Sequence, residues 1–302
     1  MNPPNRISLR VWGDFACFTR PEMKVERVSY PVMTPSAARG ILEAVFWEPQ
    51  MFYLIDAIRV IKRGRWVSFR RNEVTELISL ESAKTWMKHP EKITPIQAGG
   101  GADDGTQRNM LALQDVEYIT TAEIRPSKLS EPPRDNLDKF LREFRDRARA
   151  GKCFHRPALG MREFAADFEW EDDPQAAHQR RLAQLREEAC RAPQPEPQLM
   201  NEDLGLMLYD VFDPRERAHG FRWLRPDEIA ARERDFETSL SGLKKGEQTR
   251  RRKELAANPP RWTRRPIQPR AAFFHARVHQ GVLRCHPEDP EVKIILPTDG
   301  GH

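Results

Sequence analysis

The sequence predicts an α+β chain: a ferredoxin-like domain over residues 1–170, then a smaller β-rich C-terminal part with basic insertions. Three observations carry this reading. Strand-like apolar runs fall at residues 6–18, 51–62, 109–125 and 161–170, and two amphipathic helical patterns lie between them. With a hairpin expected near residues 65–80, the order is β-α-β, hairpin, β-α-β, the split βαβ pattern of ferredoxin-like domains. After Trp170 the composition changes to a polar segment, a proline-rich linker and short strands around a basic stretch.

The elements follow in order. RISLRVWGDFACF (6–18) alternates, with Ile7, Leu9 and Val11 on one face, and Gly13-Asp14 is placed as a bulge would be. In TPSAARGILEAVFWEP (34–49), Thr34 is the expected N-cap, Pro35 takes the first helical position and Pro49 closes the helix. Gly40 inside that helix costs about 1 kcal/mol against alanine, which points to close backbone contact. Residues 51–62 form a strongly apolar strand, and 65–71 with 75–80 are expected to pair as a hairpin. GGGADDG (99–105) lacks the GK[ST] ending of a phosphate loop and precedes a strand, so it is read as a hairpin loop.

Residues 135–170 hold the densest pattern of function-bearing residues. Asp135 is a plausible N-cap, and Leu137, Phe140, Leu141, Phe144 and Ala148 form one helical face. Lys139, Arg142, Arg145 and Arg149 fill the adjoining face, and Gly151 can stop the helix in a left-handed conformation. Lys152, His155, Arg156 and Arg162 follow within eleven residues, around a turn shaped by Pro157 and Gly160. The helix fits a solvated charged face as well as a polyanion contact, since Asp138 and Asp146 share the arginine side. The loop favours the polyanion, having no acid before Glu163.

Beyond Trp170, residues 171–191 read as a polar helix, APQPEPQ (192–198) as a linker, and 204–212 as a strand. The stretch 215–270 holds 16 Lys or Arg against 8 Asp or Glu, a net of +8, exceeding the +5 of the whole 302-residue chain. That stretch fits either a solvated insertion or a nucleic-acid backbone contact, with Trp262 available for stacking. Residues 271–285 read as a hairpin turning at Gln280-Gly281, and 294–296 as a last short strand.

Composition narrows the function classes. The basic balance favours polyanionic partners. No basic start followed by an apolar run is present, and the most apolar segment is broken by Asp56 and Arg59, so a cytoplasmic protein with no membrane contact is expected. Four cysteines lie far apart with no CxxC pair, which speaks against structural zinc and a disulfide framework. His275 and His279 share a strand face but stand about 13 Å apart, too far for one ion. No metal and no cofactor is expected. The remaining chemistry is RNA cleavage by the neighbouring 2′-hydroxyl, which needs a base, an acid and cations for the phosphate. His155, flanked by Lys152 and Arg156, is the best single candidate, although a loop histidine that merely hydrogen-bonds has the same sequence signature.

Three segments together resemble the type I-C (Dvulg subtype) Cas five proteins of CRISPR systems, members of the RAMP superfamily. They are GDFACFTRPEMKVERVSYPVMTPSAARGILEAVFWEP, RNMLALQDVEYI and RARAGKCFHRPALGMREFAADF. The resemblance covers roughly residues 6–170 and the LGLMLYDVF strand. It implies a ferredoxin-like RAMP domain that binds the 5′ handle of the CRISPR guide RNA (crRNA). It implies assembly with Cas seven backbone subunits and the Cas eight large subunit in the surveillance complex Cascade. It also implies metal-independent cleavage of the repeat RNA. The family's tyrosine late in the first helix falls on Phe46, and its Lys-His pair falls on Lys139-Phe140. Lys139, His155 and Tyr30 are therefore the catalytic candidates. Lys24, Arg27, Arg39, Arg108, Arg145, Lys152, Arg156 and Arg162 are the candidate RNA-binding cations. A non-catalytic subunit that caps the handle is the alternative, and target DNA is a further candidate partner for residues 215–270.

Overall fold

The computed structural model describes residues 5–75, 77–98, 105–127, 130, 135–191, 199–211, 226–257 and 271–296. The elements are β1 (Arg6–Ala16), β2 (Arg27–Val28), α1 (Pro35–Val45), β3 (Met51–Lys62), β4 (Arg65–Val74), α2 (Leu80–Lys88), a 3-10 turn (Pro90–Lys92), β5 (Gly105–Pro126), α3 (Leu137–Arg149), β6 (Asp167–Trp170), α4 (Pro174–Arg191), β7 (Glu202–Asp210), α5 (Pro226–Leu240), α6 (Lys245–Ala257), β8 (Ala272–His279), β9 (Val282–Arg284) and β10 (Ile294–Ile295). The strands form one sheet in the order β10-β8-β9-β3-β5-β1-β6, with β2 and β4 added on β5 and β7 on β8.

β5 is the axis of the sheet. Its second half lies between β1 and β3, both antiparallel to it, and its first half pairs with β4. Alternation along these strands sends Ile7, Leu9, Val11, Tyr118, Ala122 and Ile124 to one face. There they join a core cluster with Ile41, Leu42 and Val45 of α1 and Phe140, Phe144 and Ala148 of α3. Thr34 caps α1 by accepting from the Ala37 N–H at 3.3 Å, with Pro35 in the first turn as expected. The C-terminal strands continue the same sheet. β9 pairs with β3, and the Val60 N–H donates to the Gly281 carbonyl at 2.7 Å. Gln280 and Gly281 both take positive φ (48° and 74°), which lets the β8–β9 hairpin close at the expected dipeptide.

The opposite sheet face is not left open. Ile61 and Ile119 point outward there and need apolar cover, and Ala177 and Leu185 of α4 supply it. Glu117 on the same face is 3 % exposed and accepts from Arg10 Nη1 at 3.0 Å and Arg181 Nε of α4 at 2.8 Å. The polar segment after Trp170 is thus a helix that covers part of the sheet face.

Several local expectations are corrected. Asn136, not Asp135, caps α3, accepting from the Lys139 N–H at 2.8 Å, because Asp135 is buried behind it. Gly40 has no close neighbour, so its place in α1 is not a packing requirement. β1 runs through Gly13, whose missing side chain instead admits Leu159 and the Ala165 carbonyl. Among the described residues, 75 and 77–80 do not pair with 65–71. β4 pairs with β5, and the chain enters α2, capped by Ser79. β6 keeps only Asp167–Trp170, because residues 161–166 turn to dock Phe164 against Phe15 and Phe69. The GGGADDG loop up to residue 104, the 192–198 linker and residues 215–225 and 258–270 of the basic stretch lie outside the described residues. Among the described residues no helix is long and apolar enough to cross a membrane.

Candidate nucleic-acid interface

The interface grows from the end of α3. Gly151 takes φ +63°, and the chain turns back onto the C-terminus of α1. Here the last carbonyls of α1 need donors. The Phe154 N–H supplies one to Ala44 O at 2.8 Å, and Arg147 Nε supplies another to Val45 O at 2.8 Å. The Phe154 ring lies over Phe46, centroids 6.2 Å apart and planes 27° apart, with the Arg147 guanidinium 4.1 Å from its centroid. Two helix ends, a stacked pair and a cation therefore fix the loop. Phe154 is nevertheless 59 % exposed, and Lys152, His155 and Arg156 beside it are exposed. Among the described residues Arg156 has one distant ion pair, to Asp167 at 3.6 Å, between two well-solvated groups, worth about 0–1 kcal/mol.

The loop then crosses to β1 and β4. The Cys17 N–H donates to Leu159 O at 3.0 Å. Gly160, at φ +86°, lies so close to the Cys17 carbonyl that no side chain fits. Beyond it Arg162 is exposed, and Glu163 pairs with Arg71 of β4 at 2.7 Å. Its own backbone hydrogen bond and the Arg71 guanidinium hold the Glu163 carboxyl below the usual carboxylate range.

Arg71 stands directly opposite Arg108 in the β4–β5 ladder, and Arg27 of β2 pairs beside Met110 on the same face. Like charges opposite each other repel. Glu73 and Glu163 relieve Arg27 and Arg71, at 3.3 and 2.7 Å, whereas Arg108 has no ion pair among the described residues. Lys24 is exposed in the turn before β2. The loop thus joins two cationic groups, one at the α1–α3 corner and one on the β4–β5 ribbon.

Two predicted site residues fall elsewhere. Tyr30 is 2 % exposed, its hydroxyl accepts from the Leu208 N–H at 3.2 Å, and burial pushes its pKa up. A core phenol cannot serve as base for an exposed phosphate. Arg39 is held by Asp210 at 2.8 and 3.1 Å and by Glu43 at 2.5 Å. Burial opposes its charge, but the two carboxylates outweigh that and raise its pKa above the ordinary value. It ties α1 to β7 instead of facing solvent. Lys139 is half-buried near the start of α3, its Nζ between Glu48 at 3.1 Å and Asp135 at 3.6 Å. It lies eight residues from Arg147, about 12 Å along the helix, and its partner Glu48 follows the same end of α1 on which the His155 loop is seated. The Phe46 and Phe140 side chains are buried in the core cluster.

Sequence reasoning missed Arg147, Phe154 and Arg71. The expected hairpin strand 65–71 placed Arg71 on a strand, but its position opposite Arg108 required knowing that β5, not residues 75–80, is its partner.

A concavity of about 1180 Å³ lies between α4 and the C-terminal hairpin. Its cations are largely neutralised: Arg6 by Asp56 at 3.0 Å, Arg277 by Asp203 at 2.9 Å and Arg284 by Asp289 at 3.3 Å.

The family model described as "CRISPR-associated protein (Cas_Cas5)", Cas_Cas5d, matches residues 7–286. The chain belongs to the Cas5d family. A "CRISPR pre-crRNA endoribonuclease Cas5d" of Mannheimia succiniciproducens is 43 % identical over 223 residues, spanning 72 % of this chain and 90 % of that protein. A Cas5d of the same description from Thermus thermophilus is 42 % identical over 165 residues, 54 % of this chain and 63 % of that protein. Among solved structures, a "Crystal Structure of CRISPR-associated Protein" covers 96 % of each chain at 14 % identity with a TM-score of 0.48. In this Cas5d-family chain the matched region takes in all of α1, α3 and the loop that joins them to the β4–β5 ribbon.

Proposed function

We propose that this Cas5d-family protein binds the 5′ handle of crRNA as a subunit of a type I-C surveillance complex and cuts repeat RNA without a metal ion. The observation that carries the reading is the loop 151–164. It is rigidly seated on α1 and β1, yet presents Lys152, His155, Arg156 and Arg162 to solvent. Cations that face water without strong internal pairing attract a phosphate backbone. Arg145 on the outer face of α3, and Arg27, Arg108 and Lys24 at the ribbon, extend the same surface.

The chemistry follows from the groups the loop presents. The RNA 2′-hydroxyl attacks its own 3′-phosphate, the new P–O2′ bond forms and the P–O5′ bond breaks. His155 takes the 2′ proton or delivers one to the departing 5′ oxygen, and solvent water makes the other proton transfer. Lys152 and Arg156 flank it and stabilise the crowded phosphate. Lys139 contributes from the start of α3, where its ammonium stands beside Glu48 near the α1 end that seats the loop.

We read residues 1–170 as a ferredoxin-like RAMP domain. The order β6-β1-β5-β3 with α1 and α3 on one face supports that reading. Residues 201–302 form the smaller C-terminal part, and Cas seven and Cas eight subunits are the protein partners of a cytoplasmic complex. The 215–270 stretch remains a candidate contact for target DNA.

A second reading, a handle-binding subunit without cleavage, draws on a specific observation. The two positions where the family resemblance places a tyrosine and a histidine hold Phe46 and Phe140, both buried and without titratable groups. Binding and cutting separate in one experiment: incubation of the purified protein with its cognate repeat RNA in EDTA. A specific cut supports the first reading. Tight binding with no cut supports the second, and neither binding nor cutting removes both.

A further inference from the structure

A smaller cavity, of about 380 Å³, opens beside the first half of α3, lined by Arg6, Asp138, Leu141, Arg142, Arg145 and Trp170. That volume lies within the range of small-ligand sites, about 300–1,000 Å³. Its flat wall is Trp170, and the ring is locked. Its Nε1 donates to Asp172 Oδ1 at 2.8 Å. Arg149 grips both Asp172 oxygens at 2.9 and 3.1 Å and lies 5.9 Å from the ring centroid, while Phe144 packs at 6.2 Å. An indole held this way is a pre-organised surface, so little conformational freedom is lost when a second ring lies against it.

The polar groups of the lining are of two kinds. Arg142 and Arg145 are exposed one turn apart, and Arg142 has no ion pair among the described residues. Arg145 meets Asp146 at 3.4 Å, both well solvated, a contact of little strength. Asp138 supplies one exposed carboxylate acceptor. A cationic pair for a phosphate, a fixed aromatic wall and one acceptor match the parts of a nucleotide. Arg145 stands on the last turns of α3 and Lys152 at the start of the loop that follows it.

We propose that this cavity holds one unstacked nucleotide of the bound RNA, its base against Trp170 and its phosphate on Arg142 and Arg145. The inference rests on the RNA-binding reading above and adds a specific subsite to it.

The test is equilibrium binding of the full-length protein to an oligoribonucleotide of its cognate repeat, intact and with a single abasic ribose walked through it. In the wild type one abasic position weakens binding roughly tenfold, the scale of one base–aromatic stack. Trp170→Leu weakens binding of the intact RNA by a similar factor and abolishes the extra loss at that position, while Trp170→Phe retains both. Arg142→Ala with Arg145→Ala, two exposed positions, weakens all the RNAs alike and lowers the salt dependence. The inference is overturned if the wild type binds and Trp170→Leu matches it within about twofold. An abasic profile identical in the two proteins overturns it equally. If the wild type binds no repeat RNA, the RNA-binding reading falls, and the cavity assignment falls with it.

Discussion

Phe154 lies over Phe46 with ring centroids 6.2 Å apart, so the loop after α3 is stacked onto the residue that caps α1. Arg147 sits on the same ring at 4.1 Å. Stacking contributes about 0.5–1.5 kcal/mol and a cation–π contact about 0.5–1 kcal/mol. Phe154→Ala is therefore expected to lower stability by about 1 kcal/mol in urea denaturation and to weaken repeat-RNA binding severalfold. Unchanged affinity would show that the clamp does not position the RNA-binding residues.

Gly160 makes a sharper demand. Its φ of +86° disfavours any side chain, and a Cβ there would collide with the Cys17 carbonyl. The left-handed conformation alone costs about 1–3 kcal/mol for a non-glycine residue. Gly160→Ala should lose at least about 2 kcal/mol by urea denaturation, and RNA binding should fall with it as Arg162 is displaced. A fully stable Gly160→Ala protein would contradict the seating of the loop on β1.

Glu117 links the sheet to α4 by accepting from both Arg10 and Arg181. Removing one member of a fully buried ion network costs about 3–5 kcal/mol. Both arginines here keep some access to water, so Glu117→Ala is expected to cost about 2 kcal/mol. Limited proteolysis should show cleavage of α4 before the rest of the chain. A change below about 0.5 kcal/mol would indicate that α4 is held by its apolar contacts alone.

His178 fastens the same helix and gives the fold a pH dependence. Burial lowers its pKa, opposed by the hydrogen bond with the Val60 carbonyl at 3.3 Å and reinforced by nearby Arg59. The unfolded chain therefore binds the proton more readily than the folded one. Stability from this group is fully present above the unfolded value of about 6.5 and is lost as pH falls from there through the folded pKa. Melting curves should show a fall in Tm between pH 7.5 and 5.5 that is smaller in His178→Gln. Equal slopes in the two proteins would remove His178 from the linkage.

The strand and helix order was legible because its signals are local. The α1 cap at Thr34-Pro35, the Phe140–Phe144–Ala148 face and the Gln280-Gly281 turn each declare themselves within a few residues. Arg156 and Arg162 were legible as loop cations for the same reason. Tyr30 and Arg39 were misplaced because burial of a polar side chain depends on a distant partner, Leu208 in one case and Asp210 in the other. The cover that α4 gives the sheet was hidden likewise. It depends on Ile61 and Ile119 facing outward and on Glu117 meeting Arg181, and the register of three strands decides both.

The most direct measurement is the rate of repeat-RNA cleavage in EDTA by the wild type and by His155→Ala, each at saturating protein. Metal-free catalysis from the loop predicts a specific cut by the wild type and a rate at least about 10²-fold lower in the variant, with RNA affinity kept within about threefold. An undiminished rate in His155→Ala, or tight binding by the wild type with no cut at all, would contradict it.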